Sequence, residues 1–228
     1  MGGCVSFGVR LHVWGERACF TRPEMKVERV SYDIPTPSAA RGILEAIHWK
    51  PAIAWRIDRI HVLRAIRFAS FRRNEVGTKA SADLARRAVR SGSVAGLGLS
   101  VEKERQQRAT TFLVDVAYVI EAHFEMTARA NGEDPAKHIA MFNRRAEAGQ
   151  CFHRPCLGTR EFPADFALLP EGAPLPDSQL PADQRDRDLG WMLYDIDFDS
   201  ERTSRFFRAR LRDGVLDVNQ CLAEGTVA

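Results

Sequence analysis

The stretch IPTPSAARGILEAIHWKP (34–51) sets the frame for the rest of the chain. Thr36 is suited to cap a helix, and Pro37 falls at the first helical position, where its missing N–H costs nothing. Ala40, Ile43, Leu44 and Ile47 then recur at helical spacing, and Pro51 stops the run. On the N-terminal side, Val5, Phe7, Val9, Leu11 and Val13 alternate with Ser6, Gly8, Arg10, His12 and Trp14, the pattern of a half-buried strand. On the C-terminal side, WRIDRIHVLRAIRFASF (55–71) is rich in β-branched and aromatic residues and reads as a second strand, although its pattern breaks near Arg64.

Further along, Phe112, Val114, Val116, Tyr118, Ile120, Ala122 and Phe124 alternate over a long third strand. Asp134-Pro135 repeats the cap-plus-proline signal and opens a second helix running to about Ala148. Ile139, Phe142 and Ala146 face inward and Gly149 ends it. Residues 160–168 read as a fourth strand. Strand, helix, strand, strand, helix, strand is the order of the α+β ferredoxin-like (RRM-like, βαββαβ) fold. The expected first domain is therefore 1–168, carrying a basic insertion at about 72–109 with a short helix near Ala82–Arg90. Five prolines across 163–181 mark a connection, and the acidic, Pro-rich region from 169 leads into a C-terminal antiparallel sheet. That sheet comprises 191–198, 205–212 and, after an Asp213-Gly214 turn, 213–218.

At 228 residues the chain is long enough to build its core without staples. No apolar run approaches membrane-spanning length, and five scattered cysteines read as reduced thiols in a cytoplasmic protein. The net charge of +3 conceals an asymmetry. Residues 1–160 carry 26 Lys+Arg against 16 Asp+Glu, residues 161–201 carry 2 against 11, and Arg supplies 28 of the 33 cations. Arg forms two-pronged contacts with phosphate and stacks on bases, so the bias suits a polyanion, though a GC-rich coding bias produces the same composition.

His48, at the end of the first helix and one position past the apolar stripe, is the first group able to move a proton near neutral pH. Lys137 and His138 fall in the first turn of the second helix, where unpaired N–H groups and the helix dipole favour a phosphate. A split βαβ order puts both helices on one sheet face, so the two histidines are able to share a groove. Base, acid and cation are all that RNA self-cleavage chemistry needs, and no metal or other cofactor is expected. Cys151, His153 and Cys156 have the wrong spacing for a structural zinc site. Asp195, Asp197 and Asp199 alternate on one strand face and are of a type able to hold Mg2+, but acidic outer strand faces are usually just solvated.

Taken together, the motifs WGERACFTRPE (14–24), VSYDIPTPSAARGILEAIHWKP (30–51), FRRNE (71–75), KH (137–138), FNRRAEAGQC (142–151) and LGTREF (157–162) resemble the CRISPR-associated Cas protein 5 family of subtype I-C, in the RAMP superfamily. The resemblance implies a ferredoxin-like domain with a small sheet extension. It also implies a metal-independent endoribonuclease that cuts precursor CRISPR RNA at the repeat stem-loop, leaving a 2′,3′-cyclic phosphate. The expected partners are that repeat RNA, held by its stem-loop and 5′ handle, and the other subunits of the type I-C interference complex, with DNA left open as a partner through the complex and no membrane. The implied site is His48, at a position where the family commonly has Tyr, with Lys137 and His138. His48 is expected as base, Lys137 as phosphate stabiliser and His138 as acid, with the two histidine roles open to exchange. A noncatalytic cap on the 5′ handle is the alternative. Cations expected on RNA are Arg41, Lys50, Arg72, Arg73, Lys79, Arg86, Arg87, Arg90, Arg144, Arg145 and Arg160.

Overall fold

The computed structural model describes residues 8–198 and 202–227. Strand β1 (Gly8–Ala18) is followed by a two-residue β2 (Arg29–Val30), helix α1 (Pro37–Ile47), β3 (Ile53–Val62) and β4 (Phe68–Val76). Helices α2 (Ala82–Ser91) and α3 (Val101–Glu104) precede the long β5 (Arg105–Met126), then α4 (Pro135–Glu147) and β6 (Asp165–Leu169). The chain ends with α5 (Ala182–Arg185), β7 (Arg187–Asp197), β8 (Thr203–Arg212), β9 (Val215–Asp217), α6 (Val218–Ala223) and β10 (Thr226–Val227). It divides into two compact units, one of residues 1–69 and 111–228, the other of residues 70–110.

The larger unit is a mixed α/β body built on an antiparallel sheet. Along its path β3 pairs β5, β5 pairs β1 and β1 pairs β6, every pair antiparallel. Alternation fixes which face of each strand is buried. Val9, Leu11 and Val13 of β1 face the same core as Tyr118, Ile120 and Ala122 of β5, and Trp55, Ile57, Ile60 and Val62 of β3 join them. Val5 and Phe7, expected at the start of the first strand, lie outside the described residues. Helix α1 contributes Ala40, Ile43, Leu44 and Ile47 to the core, and α4 contributes Phe142 and Ala146.

Both helices begin as the sequence requires. Thr36 Oγ1 accepts the Ala39 N–H at 3.1 Å, and the Asp134 carboxylate accepts the Ala136 N–H at 2.9 Å, each with proline at the next position. The 55–71 segment, expected as one strand, is two. Leu63–Arg67 breaks it because Arg64 and Arg67 turn to Asp115, at 3.6 and 3.0 Å, while the Val114 N–H takes the Arg67 carbonyl. The fourth strand begins at Asp165 rather than near 160, because 157–162 closes a turn on itself with Leu157 N–H on the Phe162 carbonyl.

The proline-rich connection is tied down rather than slack. The Gln179 N–H donates to the Leu63 carbonyl, and Leu180 is buried. Beyond it, β7 pairs β8, β8 pairs β9, and β9 adds to the edge of β3, so the C-terminal strands continue the main sheet. Asp213 and Gly214 both take positive φ, as the tight Asp-Gly hairpin turn requires. Polar contacts join β7 to the rest of the unit, among them an Arg187–Asp33 ion pair at 3.4 Å. Tyr32 Oη accepts the Leu193 N–H at 3.2 Å, and Arg41 grips the Asp195 carboxylate with both terminal nitrogens.

Residues 70–110 form the second unit, in which β4 pairs the start of β5 and the Gly77 N–H reaches the Glu104 carbonyl. Helix α2 is capped by Ser81 and closed by Gly92 at φ 63°, yet buries none of its residues.

Gly158 shows how close the packing is. Its φ of +88° is a left-handed conformation, and a Cβ there would overlap the Cys19 carbonyl, itself part of a strand end held by the Cys19 N–H to Leu157 carbonyl bond. Gly158→Ala is expected to destabilise the fold by about 3 kcal/mol or more. Urea denaturation checks this, and an unchanged midpoint would contradict the assigned packing.

Candidate active site

Helix α1 ends one residue before His48. His48 is its C-cap, with its N–H on the Leu44 carbonyl and its backbone extended at φ −150°, ψ 120°. This corrects the expectation of a side chain pointing off the helix's apolar face: the departure from helical backbone turns the ring inward, and His48 is only 3% exposed. The carbonyls at this helix end are satisfied one by one. Ala46 accepts from the Phe152 N–H, Ile47 from Arg145 Nη1 at 2.8 Å, and His48 from the Trp55 indole N–H at 2.9 Å.

From the other side, the first turn of α4 brings His138 to the same spot, 2% exposed. His48 Nε2 and His138 Nδ1 are 3.2 Å apart, so one ring donates a proton to the other. The rings are tilted at 34° with centroids 5.5 Å apart, and the edge of Phe124 lies against His138. Glu133, in the turn just before the helix cap, places Oε2 3.3 Å from His138 Nε2 and 3.4 Å from Lys137 Nζ. The His138 approach lacks hydrogen-bond alignment, and His138 Nε2 and His48 Nδ1 are buried without a hydrogen-bond partner. Lys137 itself is open to solvent, its side chain 65% exposed.

The result is a line of groups, His48, His138, Glu133 and Lys137, running from the core to the surface at a helix N-terminus. Burial, reinforced by the positive charges of Arg145, His138 and Lys50, drives the pKa of His48 down to about 4. At neutral pH His48 is an uncharged imidazole, able to accept a proton. Glu133 was not anticipated from sequence. Its only signal there is a carboxylate immediately preceding the Asp134-Pro135 cap.

The structure thus brings His48, Lys137 and His138 together, although the sequence reading had no way to foresee that both rings leave solvent. The expected RNA-contacting cations are less uniform. Lys50, Arg144 and Arg160 are exposed, whereas Arg145 is held by the Ile47 carbonyl and Arg41 is engaged by Asp195 and Glu45. Within the 70–110 unit, Arg72, Lys79, Arg86, Arg87 and Arg90 are exposed, with Arg86 paired to Asp83, and Arg73 is half-buried against Glu75 at 2.7 Å. Asp195, considered as a metal ligand, is occupied by Arg41, and Asp199 lies outside the described residues.

Fold and candidate site define an α/β protein whose antiparallel sheet supports a buried, hydrogen-bonded histidine pair, with a lysine where a helix begins. The family model of the Cas5d type, described as CRISPR-associated protein (Cas_Cas5), matches residues 8–219. The chain belongs to this family. A protein of Mannheimia succiniciproducens named CRISPR pre-crRNA endoribonuclease Cas5d is 61% identical over 217 residues, covering 95% of this chain and 96% of that one. One of the same name from Thermus thermophilus is 42% identical over 230 residues, covering 92% and 90%. Among solved structures, a CRISPR-associated protein matches with a TM-score of 0.66 at 22% identity, over 97% of this chain and 96% of that one. A functionally uncharacterized protein of Streptococcus mutans matches with a TM-score of 0.64 at 21% identity, over 97% of each. At these identities the structural likeness is one of fold.

The depressed pKa of His48 has a consequence for stability. Between its ordinary value of 6.5 and about 4, the unfolded chain binds a proton at His48 that the folded chain refuses. Stability is therefore full above pH 6.5 and falls as the pH drops towards 4, by about 3 kcal/mol in all from this residue. Urea midpoints measured across that window should fall for the wild type and fall less for His48→Gln. Equal slopes in the two proteins would show that His48 is not the buried neutral group.

Proposed function

We propose that this chain is an endoribonuclease that cuts precursor CRISPR RNA within its repeat and keeps hold of the 5′ handle as a subunit of a type I-C interference complex in the cytoplasm. The observation that carries the reading is the near full-length, 61%-identical relative whose name states that activity. Supporting it, we read the antiparallel path β6-β1-β5-β3, with α1 and α4 as crossovers, as that of a ferredoxin-like βαββαβ domain, an architecture that RNA-binding RRM modules also use. We read residues 8–168 as that domain, 70–110 as an inserted RNA-contacting arm and the strands from β7 onward as an extension.

For the chemistry, we assign the scissile phosphate to the place the Glu133 carboxylate now occupies. An anion there faces Lys137, His138 and the N-terminus of α4 together, and the RNA displaces the Glu133 side chain to reach it. The 2′-oxygen attacks phosphorus, its proton passes to the histidine pair, and the P–O5′ bond breaks. A proton returns from the pair to the 5′-oxygen, leaving a 2′,3′-cyclic phosphate and a 5′-hydroxyl. Lys137 offsets the charge gathering on the phosphoryl oxygens. His48 is the base and His138 the acid, and the hydrogen bond between them makes them one proton-transfer unit. No step calls for a metal ion.

One observation favours the second reading, a noncatalytic cap on the 5′ handle: both histidine rings are out of solvent. Purified protein incubated with repeat RNA in EDTA distinguishes the two. The nuclease cuts, stops when the 2′-hydroxyl at the scissile position is replaced by hydrogen, and slows roughly a hundredfold or more in Lys137→Ala and His138→Ala. Tight binding without cleavage by the wild type establishes the cap instead. A separate measurement addresses Glu133. Glu133→Gln removes the competing carboxylate and should tighten RNA binding roughly threefold at low salt, and unchanged affinity would remove Glu133 from the phosphate position.

A further inference from the structure

Two large aromatic side chains stand in water on backbone at the end of α1 that leads into His48, outside every role assigned above. Trp49 follows His48 directly and is 52% exposed; Phe152 is 84% exposed. The backbone brings them to the same end of α1. The Phe152 N–H donates to the Ala46 carbonyl at 2.8 Å, and the His153 N–H shares that acceptor at 3.4 Å. Ala46 and Trp49 are three residues apart, so at most about 11 Å of chain separates the clamp from the tryptophan. The loop that carries Phe152 is fixed at its other side too, where Gly149 ends α4 at φ 65° and the Gln150 N–H returns to the Arg145 carbonyl.

These rings are therefore presented on anchored backbone. Leaving this much apolar ring in water is unfavourable, and clustered exposed aromatics mark a binding surface. Their surroundings select the ligand. Residues 46–50 and 144–154 contain Lys50, Arg144, Arg145 and Arg154 against the single carboxylate Glu147, with Arg154 also paired to Asp165. Exposed aromatic rings on backbone whose neighbours are mainly cationic match a nucleotide strand, in which each base offers a π-face and each linkage a negative charge.

We infer that Trp49 and Phe152 form a stacking platform for unpaired bases of the RNA next to the scissile phosphate. This rests on the RNA-cleaving reading above. Stacking does not distinguish one base from another, so the platform fixes the path of the strand and leaves sequence choice to other contacts. It holds the nucleotides leaving the stem-loop in an unstacked course past His48, which is what alignment of a 2′-oxygen with its phosphate needs.

The test uses the whole chain and repeat RNA, with binding followed by fluorescence anisotropy and cutting by gel. Trp49→Ala and Phe152→Ala are each expected to weaken binding about tenfold. Trp49→Phe keeps most of the affinity, and Trp191→Ala, which removes another exposed tryptophan, changes nothing. RNAs carrying one abasic nucleotide beside the cut site should bind the wild type more weakly at one or two positions, and that penalty should vanish in the alanine variants. Wild-type binding by both alanine variants, or an abasic penalty that persists in them, overturns the platform and assigns the surface to a protein subunit. A wild type that ignores repeat RNA altogether overturns the RNA-cleaving reading itself, so the two failures are distinguishable.

Discussion

The indole of Trp55 holds the two halves of the site in register. Its N–H meets the His48 carbonyl at the end of α1, while its ring lies 4.9 Å from Phe142 of α4 and 5.3 Å from Phe124 of β5. One buried side chain on β3 thereby touches the helix that delivers His48, the helix that delivers His138 and the strand beneath them. A large aromatic with a single polar atom suits the task, because it fills the gap between sheet and helices while its lone donor satisfies a carbonyl that the helix end leaves open. This packing sets the backbone positions from which the two imidazoles approach to 3.2 Å.

The elements legible in the sequence were those with an uninterrupted period or an explicit stop signal. Strict alternation located β1 and the inner half of β5, and a cap followed by proline located the start of both major helices to the residue. Where a tertiary contact overrode the local pattern, the sequence misled. Arg64 and Arg67 carry strand-compatible neighbours, yet their pull towards Asp115 divides the segment in two. Helix α6 was missed because its six residues sit behind a strand-like run, announced only by the Asp217 side chain on the Gln220 N–H.

The candidate site was legible as a list of residues and not as a geometry. His48 looked like a residue beside an apolar stripe because helical spacing was extended through it, and the backbone leaves the helix one residue sooner. Lys-His in a first helical turn reads as a solvated pair, and only the neighbour ninety positions away explains why the histidine half is buried. Family resemblance named the same three residues. It did not indicate that a carboxylate would stand between the lysine and the second histidine, or that two exposed aromatics would be carried on backbone at the end of α1.

The grip of Arg41 on Asp195 spans 154 residues and fastens the helix that ends at His48 to a strand near the C-terminus. Such long-range closure comes late in folding, since the intervening loop has to be drawn in before the contact is made. During synthesis the histidine-bearing helices emerge from the ribosome well before β7 does. The anchoring of the histidine-bearing helix is thus completed only after β7 has emerged.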